Sequence, residues 1–361
     1  MKLGKLWRVF GWACLAAMAC SAWDCAGRWQ TQGQWAAVFL KLWVYWFSWL
    51  AAPVLWVALC VKAAQAVRRQ VWGAAGMHML AVALVSVGLW ATLIEPHQIH
   101  IRYTTLTGMP AAAGAQPLRL ALVADVHWGL FFRDHQVRHL AERLNELDAD
   151  AVIVAGDWTY EPKRDLEAGF APFKSLRMPV FGVLGNHDLQ WPGPALQAEL
   201  RQALSQNGVQ LIEGRRVAWK GWELVGLDDL GGGKPLPQIR RLWPVRHPWM
   251  PQLYPHPPVG KADAVPPVVP PRLVVVHQPD TVSLMPPEAA FLSMAGHTHG
   301  GQIWLPGITE RVLAAQNRHG WWNGLYATRA GALFVTQGVG TIGLPARWLR
   351  PPTIDVISIQ P

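Results

Sequence analysis

The sequence predicts an α/β sandwich domain that follows an apolar, helical N-terminal region. Residues 1–94 contain long uncharged runs, whereas short β-rich runs alternate with helical stretches from about residue 118 and then give way mostly to strands. The 361 residues are 51% hydrophobic and 15% charged. This composition excludes a disordered, collagen-like or disulfide-scaffold protein.

The N-terminal region, residues 1–94, is predicted to contain two to three transmembrane helices. Leu42–Val61 and Val71–Ile94 are 20 and 24 residues without a charged side chain. Each run is long enough to cross a hydrocarbon core of about 30 Å, although a pair of buried core helices is an alternative. The first apolar run, Val9–Trp23, is shorter and follows three basic residues, so it is either a spanning helix or a signal peptide.

Charge predicts the orientation of this region. Residues 1–94 carry +7 of the formal net charge of +9, which argues against nucleic-acid binding and for membrane topology signals. With three spans and the basic segments in the cytoplasm, residues after Ile94 lie outside it. We therefore expect a multi-pass protein of the cell (inner) membrane with an extracytoplasmic domain. The two basic segments contain Lys2, Lys5 and Arg8 at the N-terminus and Lys62, Arg68 and Arg69 in the loop between the two long apolar runs.

The rest of the chain is predicted to be a linker, residues 95–117, and one domain, residues 118–361. All four cysteines precede the linker, so the domain has neither a disulfide nor a thiol nucleophile. Residues 231–271 hold 12 prolines and are predicted to be either a lid beside the active site or a structureless insertion. Strands are predicted over 118–124, 151–155, 179–184, 209–212, 273–276, 291–295, 332–337 and 354–359, with a hairpin over 216–227 and helices over 134–147, 166–176 and 194–204.

Five short polar motifs each follow one of the apolar, strand-like runs. Because ligands collect outside the carboxyl ends of strands in α/β sheets, these motifs should converge on one site. Their Asp, Asn and His side chains suit Mn²⁺, Fe, Zn²⁺ or Mg²⁺, and two such ions would clamp a phosphate and generate a hydroxide nucleophile. The motifs are Asp125-Val126-His127, Gly156-Asp157, Gly185-Asn186-His187-Asp188, His277 and Gly296-His297-Thr298-His299.

Taken singly, each of these residues has an ordinary structural interpretation. Asp125 and Asp157 suit turns or helix caps, Asn186 suits a left-handed turn, and His277 suits a satisfied core position. Independent explanations of this kind for the whole ordered set are improbable. Histidines outside the motifs, such as His78 and His319, are predicted to be structural.

The ordered motifs resemble those of the calcineurin-like metallophosphoesterase superfamily over about residues 118–361. The run Gly296–Ile303 and the tail Gln337–Gly340 look like its membrane-anchored bacterial branch. The resemblance implies a four-layer α/β/β/α sandwich with two divalent metal ions. It implies one ion on Asp125, His127, Asp157 and His299, and the other on Asp157, Asn186, His277 and His297.

The same resemblance implies that His187 acts at the leaving group, oriented by Asp188. The sequence departs from the family after Gly156-Asp157, where Trp158 stands in place of a further Asp, and in the Pro-rich insertion. The predicted function is hydrolysis of a phosphodiester or pyrophosphate bond, in a substrate that membrane anchoring suggests is lipid-linked. A non-catalytic membrane receptor or scaffold is the alternative. Neither a nucleic acid nor an obligate protein partner is expected.

Overall fold

The computed structural model describes residues 3–26, 28, 34–108, 115–162, 165–189, 196–231, 235–243 and 271–360. The α-helices are α1 Leu3–Ala26, α2 Trp35–Leu50, α3 Ala52–Arg68, α4 Trp72–Leu89, α5 Asp134–Asn145, α6 Leu166–Phe170, α7 Gln197–Gln206, α8 Pro235–Leu242 and α9 Thr309–Gln316. The strands are β1 His100–Leu106, β2 Leu118–Val123, β3 Trp128–Gly129, β4 Ala151–Ala155, β5 Thr159–Tyr160, β6 Val180–Val183, β7 Val209–Leu211, β8 Arg216–Trp219, β9 Trp222–Gly226, β10 Arg272–Val275, β11 Leu292–Ala295, β12 Gly324–Thr328, β13 Gly331–Val335 and β14 Thr353–Ile359.

Two six-stranded sheets form the centre of the domain. The first has the order β1-β14-β2-β4-β6-β7, and the second has the order β12-β13-β11-β10-β9-β8. Side chains alternate across the strands, so that Leu120 and Ile153 of the first sheet pack against Leu273 of the second. Val152 of the first sheet faces the helices outside it, among them α5 and α7. A separate cluster with Ile239 of α8 covers the outer face of the second sheet. The predicted four-layer α/β/β/α sandwich is therefore confirmed.

Most of the predicted strands and helices are present, with two differences. Residues 95–117, predicted as a linker, contain β1, which pairs in parallel with β14 along its whole length. The helix predicted over 166–176 ends as a 3₁₀ turn from Ala171, where Pro172 cannot continue the α-helical hydrogen bonding. Most of the predicted lid lies outside the described residues, apart from α8 at its start.

The described residues of the N-terminal region are mainly helical. Leu3–Ala26 and Trp72–His97 are each long and apolar enough to cross a membrane. The predicted span Leu42–Val61 is instead divided at Ala51 between α2 and α3, which form a pair bent by 48° that counts as a third span if it crosses as one unit. Pro53 in the first turn of α3 supplies no backbone N–H, which suits a new helix start.

The domain lies at one end of this helical region. The ammonium of Lys41 in α2 pairs with Glu161 at 2.7 Å, and Asp24 in α1 pairs with Arg133 at 2.5 Å. The chain enters the domain from the end of α4, where the carbonyl of Ala91 accepts a hydrogen bond from the backbone N–H of Arg347 at 2.8 Å. An apolar cluster joins the two parts through Cys25, Val38, Leu42 and Tyr45 on the helices and Leu130, Phe131 and Tyr160 on the domain.

Candidate metal centre

The chain turns sharply where the motif residues follow their strands. Five of them have left-handed backbone angles that L-residues adopt at a cost of about 1–3 kcal/mol each. Strain of this kind persists only where the surrounding fold imposes it, and it concentrates at functional sites. The φ angles are 54° at Asp125, 50° at His127, 55° at Asp157, 73° at His297 and 51° at His299.

Glycines let neighbouring strands approach these residues closely. A Cβ added to Gly185 would lie 2.2 Å from Oδ1 of Asp157, and one added to Gly296 would lie 2.8 Å from Oδ2 of Asp125. Both distances are shorter than any van der Waals contact. The glycines of the motifs therefore make room for the two carboxylates.

The first of two polar clusters is Asp125, His127 and His299, whose potential ligand atoms lie within 4.8 Å of one another. All three side chains are buried. The Nε2 atoms of His127 and His299 are 3.1 Å apart, and Nε2 of His299 is 3.6 Å from Oδ1 of Asp125. The backbone N–H of His297 donates to both carboxylate oxygens of Asp125 at 3.1 Å and so holds the carboxylate in place.

The second cluster is Asp157, His277 and His297, with Asn186 beside it. Nε2 of His277 is 3.1 Å from both Oδ2 of Asp157 and Oδ1 of Asn186, and 3.3 Å from Nδ1 of His297. Nδ1 of His277 donates to the carbonyl of Ala155 at 2.8 Å. Burial opposes charge on His277, but the adjacent Asp157 raises the pKa of this imidazole well above its usual value, so Nε2 carries a proton when no ion is bound. A cation at this position would displace that proton and bind the Nε2 lone pair.

Asp157 lies between the two clusters. Its Oδ2 is 3.1 Å from Nε2 of His277 and 3.6 Å from Nε2 of His127, one residue from each cluster. Its Oδ1 accepts a hydrogen bond from the backbone N–H of His187 at 2.9 Å. The structure thus places this carboxylate where it can contact ions in both clusters.

The electrostatics of the site fit positive ions. Burial lowers the pKa of His127 to about 3, so this imidazole is neutral and able to act as a ligand at pH 7. Burial opposes charge on Asp157, but the adjacent His277 holds the pKa of that carboxyl well below its usual value. Nδ1 of His299 is buried without a hydrogen-bond partner among the described residues. Once an ion displaces the proton of His277, these imidazoles and carboxylates form the donor set that divalent ions of the zinc, iron and manganese type bind.

His187 and Asp188 lie beside the clusters and have different surroundings. The ring of His187 packs edge-on against His127 and Tyr160, with centroids 5.2 Å apart in each case. Asp188 is fully buried, and its carboxylate accepts backbone N–H bonds from Gly185, Trp158 and Thr159 at 2.9–3.2 Å. Asp188 therefore joins the loops after β4 and β6.

Three residues near the site have no signal in the motifs. Tyr160 packs against His187 and lies under Lys41, 4.9 Å from the ring centroid. Arg347 is fully buried and donates to the carbonyls of Gln337, Gly338, Gly340 and Arg350. Asp229 is buried near His277 and accepts a hydrogen bond from Gln278 at 3.1 Å. Arg347 could have been noticed in the sequence, because it and the segment Gln337–Gly340 place polar residues in otherwise apolar surroundings.

Comparison with known proteins is consistent with this geometry. The profile of the calcineurin-like phosphoesterases matches residues 118–301, which is just over half of the chain and includes both clusters. The chain belongs to the calcineurin-like phosphoesterase family. It is therefore a metal-dependent phosphoesterase, as the motifs predict. The two helices that could span a bilayer, or three with the bent pair, associate this phosphoesterase with a membrane.

Three relatives illustrate the family. The uncharacterized metallophosphoesterase YkuE of Bacillus subtilis is 26% identical over 285 residues, which cover 75% of this chain and 89% of YkuE. The phosphodiesterase YaeI of Escherichia coli is 25% identical over 238 residues, covering 63% of this chain and 77% of YaeI. A transmembrane protein with a metallophosphoesterase domain from Danio rerio is 26% identical over 241 residues, covering 64% of this chain and 50% of that protein.

Proposed function

We propose that this phosphoesterase uses a two-ion centre to hydrolyse a phosphodiester or pyrophosphate bond in a lipid-linked substrate. The observation that carries the two-ion centre is the position of Asp157, whose Oδ2 faces both clusters. One ion would be held by Asp125, His127, Asp157 and His299, and the other by Asp157, Asn186, His277 and His297. Two bound ions would polarise the phosphoryl group and lower the pKa of an attacking water.

The residues beside the two clusters position the proton donor that we propose. His187 lies at the partly exposed edge of the first cluster, where its ring can donate a proton to the departing oxygen. Burial lowers the pKa of His187, so the resting ring is neutral at pH 7 and its protonated form, once made, is a stronger acid than an exposed imidazolium. Asp188 fixes the loop that carries His187, and Tyr160 packs against its ring and limits its rotation.

The diester preference is suggested by the relative named as a phosphodiesterase, and it can be tested directly. The full chain in detergent is stripped of metal, resupplied with Mn²⁺, and assayed with bis-(p-nitrophenyl) phosphate and p-nitrophenyl phosphate. We expect metal-dependent hydrolysis that favours the diester. His187→Ala should lose about 10²-fold or more in kcat while binding the same amount of metal. Folded, metal-loaded protein that hydrolyses neither ester would contradict the proposal.

We also propose that residues 1–94 form the membrane region and that the domain, residues 118–361, is extracytoplasmic. Lys5 and Arg8 at the start of α1, and Arg68 and Arg69 before α4, support this orientation because the domain contacts the other end of each of these two helices. The ammonium of Lys62 lies 5.0 Å from the ring centroid of Trp7, which brings the second basic segment to the start of α1. A phosphatase reporter that is active only after export should be active when fused after Pro96 and inactive when fused after Arg69. The reverse pattern would contradict the orientation.

A further inference from the structure

A cavity of about 450 Å³ opens beside His297 and His299 of the metal centre. Its lining also includes the apolar side chains of Val312 and Leu313 of α9 and of Ile342, beside polar residues such as Thr309 and Asn317. The cavity therefore combines histidines of the metal centre, where a phosphate would bind, with apolar side chains that the hydrolysis of a phosphate group does not itself require. This combination matches an amphiphilic phosphate ester.

Apolar side chains near this lining are exposed. Ile308 and Leu349 are 60% and 54% exposed, although both are large aliphatic side chains. Together with their neighbours they form one patch, because the two segments are joined by backbone hydrogen bonds from the N–H of Trp304 to the carbonyl of Trp348 and from the N–H of Trp348 to the carbonyl of Gln302. We call this patch the apolar rim; it consists of Leu305, Ile308, Val312, Leu344 and Leu349.

Hydrogen bonds fix the apolar rim next to the end of α4. The backbone N–H of Arg347 donates to the carbonyl of Ala91 at 2.8 Å, and the N–H of Arg350 donates to the Glu95 carboxylate at 2.8 Å. Ala91 and Glu95 belong to the apolar helix Trp72–His97. The loop of the rim is thus held at the level at which this helix leaves its apolar stretch.

Exposed apolar side chains lie on both sides of that junction. Trp90 and Ile94, on the last turns of the helix, are 44% and 40% exposed, and the rim residues are exposed on the side of the domain. Trp90 also donates its indole N–H to Glu95 at 3.1 Å, the amphipathic arrangement favoured at a bilayer interface. An exposed apolar surface that extends from a spanning helix has the lipid bilayer as its natural partner.

We propose that the apolar rim rests in the bilayer surface, so that the cavity opens to the lipid and receives the apolar part of an amphiphilic phosphate ester from the membrane. Gln302 links the rim to a metal ligand, since its side-chain amide donates to the carbonyl of Leu344 at 3.2 Å and its backbone N–H donates to the carbonyl of His299 at 3.0 Å. The substrate half of this proposal rests on the proposed phosphodiesterase function, whereas the docking half does not.

Photo-crosslinking tests the docking half without any assay of activity. Benzoylphenylalanine replaces Ile308 in the full chain, reconstituted in vesicles of phosphatidylethanolamine and phosphatidylglycerol, and lipid adducts are measured by mass spectrometry. The same probe at Leu284, which is 37% exposed and lies outside the rim, is the control. We expect a lipid adduct at position 308 and none at 284. No adduct at 308, or equal adducts at both positions, would overturn the proposal.

Turnover in the same vesicles tests the substrate half. Ile308→Asp should lower hydrolysis of hexadecyl p-nitrophenyl phosphate in the bilayer by about tenfold, as expected when one large apolar contact is lost. Hydrolysis of the water-soluble bis-(p-nitrophenyl) phosphate should be unchanged, and Leu284→Asp should affect neither substrate. An equal effect of Ile308→Asp on both substrates would contradict this half. If wild-type protein fails on the soluble diester, the proposed function fails, while the crosslink still decides whether the rim contacts lipid.

Discussion

The substitution Asp157→Asn tests whether the two ion sites share one carboxylate or have independent ligand sets. The substitution keeps the shape of the side chain but removes the negative charge that faces both His277 at 3.1 Å and His127 at 3.6 Å. The Oδ1 bond to the backbone N–H of His187 can be kept by the amide oxygen. The loops should therefore stay in place, while both ion sites lose the same anionic ligand.

The size of the effect follows from that position. Loss of an outer partner of a metal ligand costs about 10–100-fold in metal affinity, so loss of a direct, shared carboxylate should cost about 100-fold or more at each site. A 100-fold loss corresponds to about 2.7 kcal/mol. We expect both metal equivalents to weaken together and turnover to fall at least as steeply.

The assay is a Mn²⁺ titration of the metal-free full chain in detergent, with bound metal and hydrolysis of bis-(p-nitrophenyl) phosphate measured on the same samples. Asp355→Asn is the matched control, because Asp355 is also a fully buried carboxylate but pairs with Arg102 at 2.5 Å in the sheet. The control should keep its metal affinity. If Asp157→Asn weakens one equivalent and leaves the other unchanged, Asp157 is not shared and the reasoning is refuted.

Three further predictions concern single residues. His127 has a folded pKa of about 3 against an ordinary value of 6.5, so the metal-free protein should lose stability as the pH falls below about 6.5, by about 2 kcal/mol at pH 5. Thermal unfolding in detergent should show that His127→Gln loses less stability than the wild type as the pH falls. Equal dependence on pH in the two proteins would contradict the attribution of this loss to His127. Arg347→Met leaves several buried carbonyls without their hydrogen-bond donor. The substitution should therefore destabilise the fold by about 3 kcal/mol and lower the Tm. An unchanged Tm would show that these hydrogen bonds add nothing to stability. Lys41→Met removes the ion pair between α2 and Glu161 and the contact of Lys41 with the ring of Tyr160. If the docking of α2 positions Tyr160 and His187, this substitution should change kcat on the soluble diester. An unchanged kcat would show that α2 only anchors the domain.

The fold was predictable where hydrophobic patterns are continuous. Buried strands such as β2 and β4 appear in the sequence as uninterrupted apolar runs, and α5 appears as an apolar face with 3.6-residue spacing. β1 was missed because its residues alternate only weakly and are half-exposed at the sheet edge. The break between α2 and α3 was missed because no charge interrupts the run, although Pro53 marks the new helix.

The clustering of the motif residues was predictable because each motif follows a strand. The structure brings Asp125, His127 and His299 into one cluster and Asp157, His277 and His297 into the other, with Asn186 beside the second. Tyr160 was not predictable, since its position at the site depends on packing against His187 across the sheet edge. The contact of Lys41 with the domain was equally hidden, because it joins two parts of the chain that share no motif.

The measurement that tests the central claim most directly is the metal stoichiometry of activity. Metal-free protein receives Mn²⁺ in steps, and bound ions per chain are measured by elemental analysis beside the rate of hydrolysis of bis-(p-nitrophenyl) phosphate. The geometry of the two clusters around Asp157 predicts that two ions bind and that full activity requires the second. Full activity with a single bound ion, or with none, would contradict the two-ion centre.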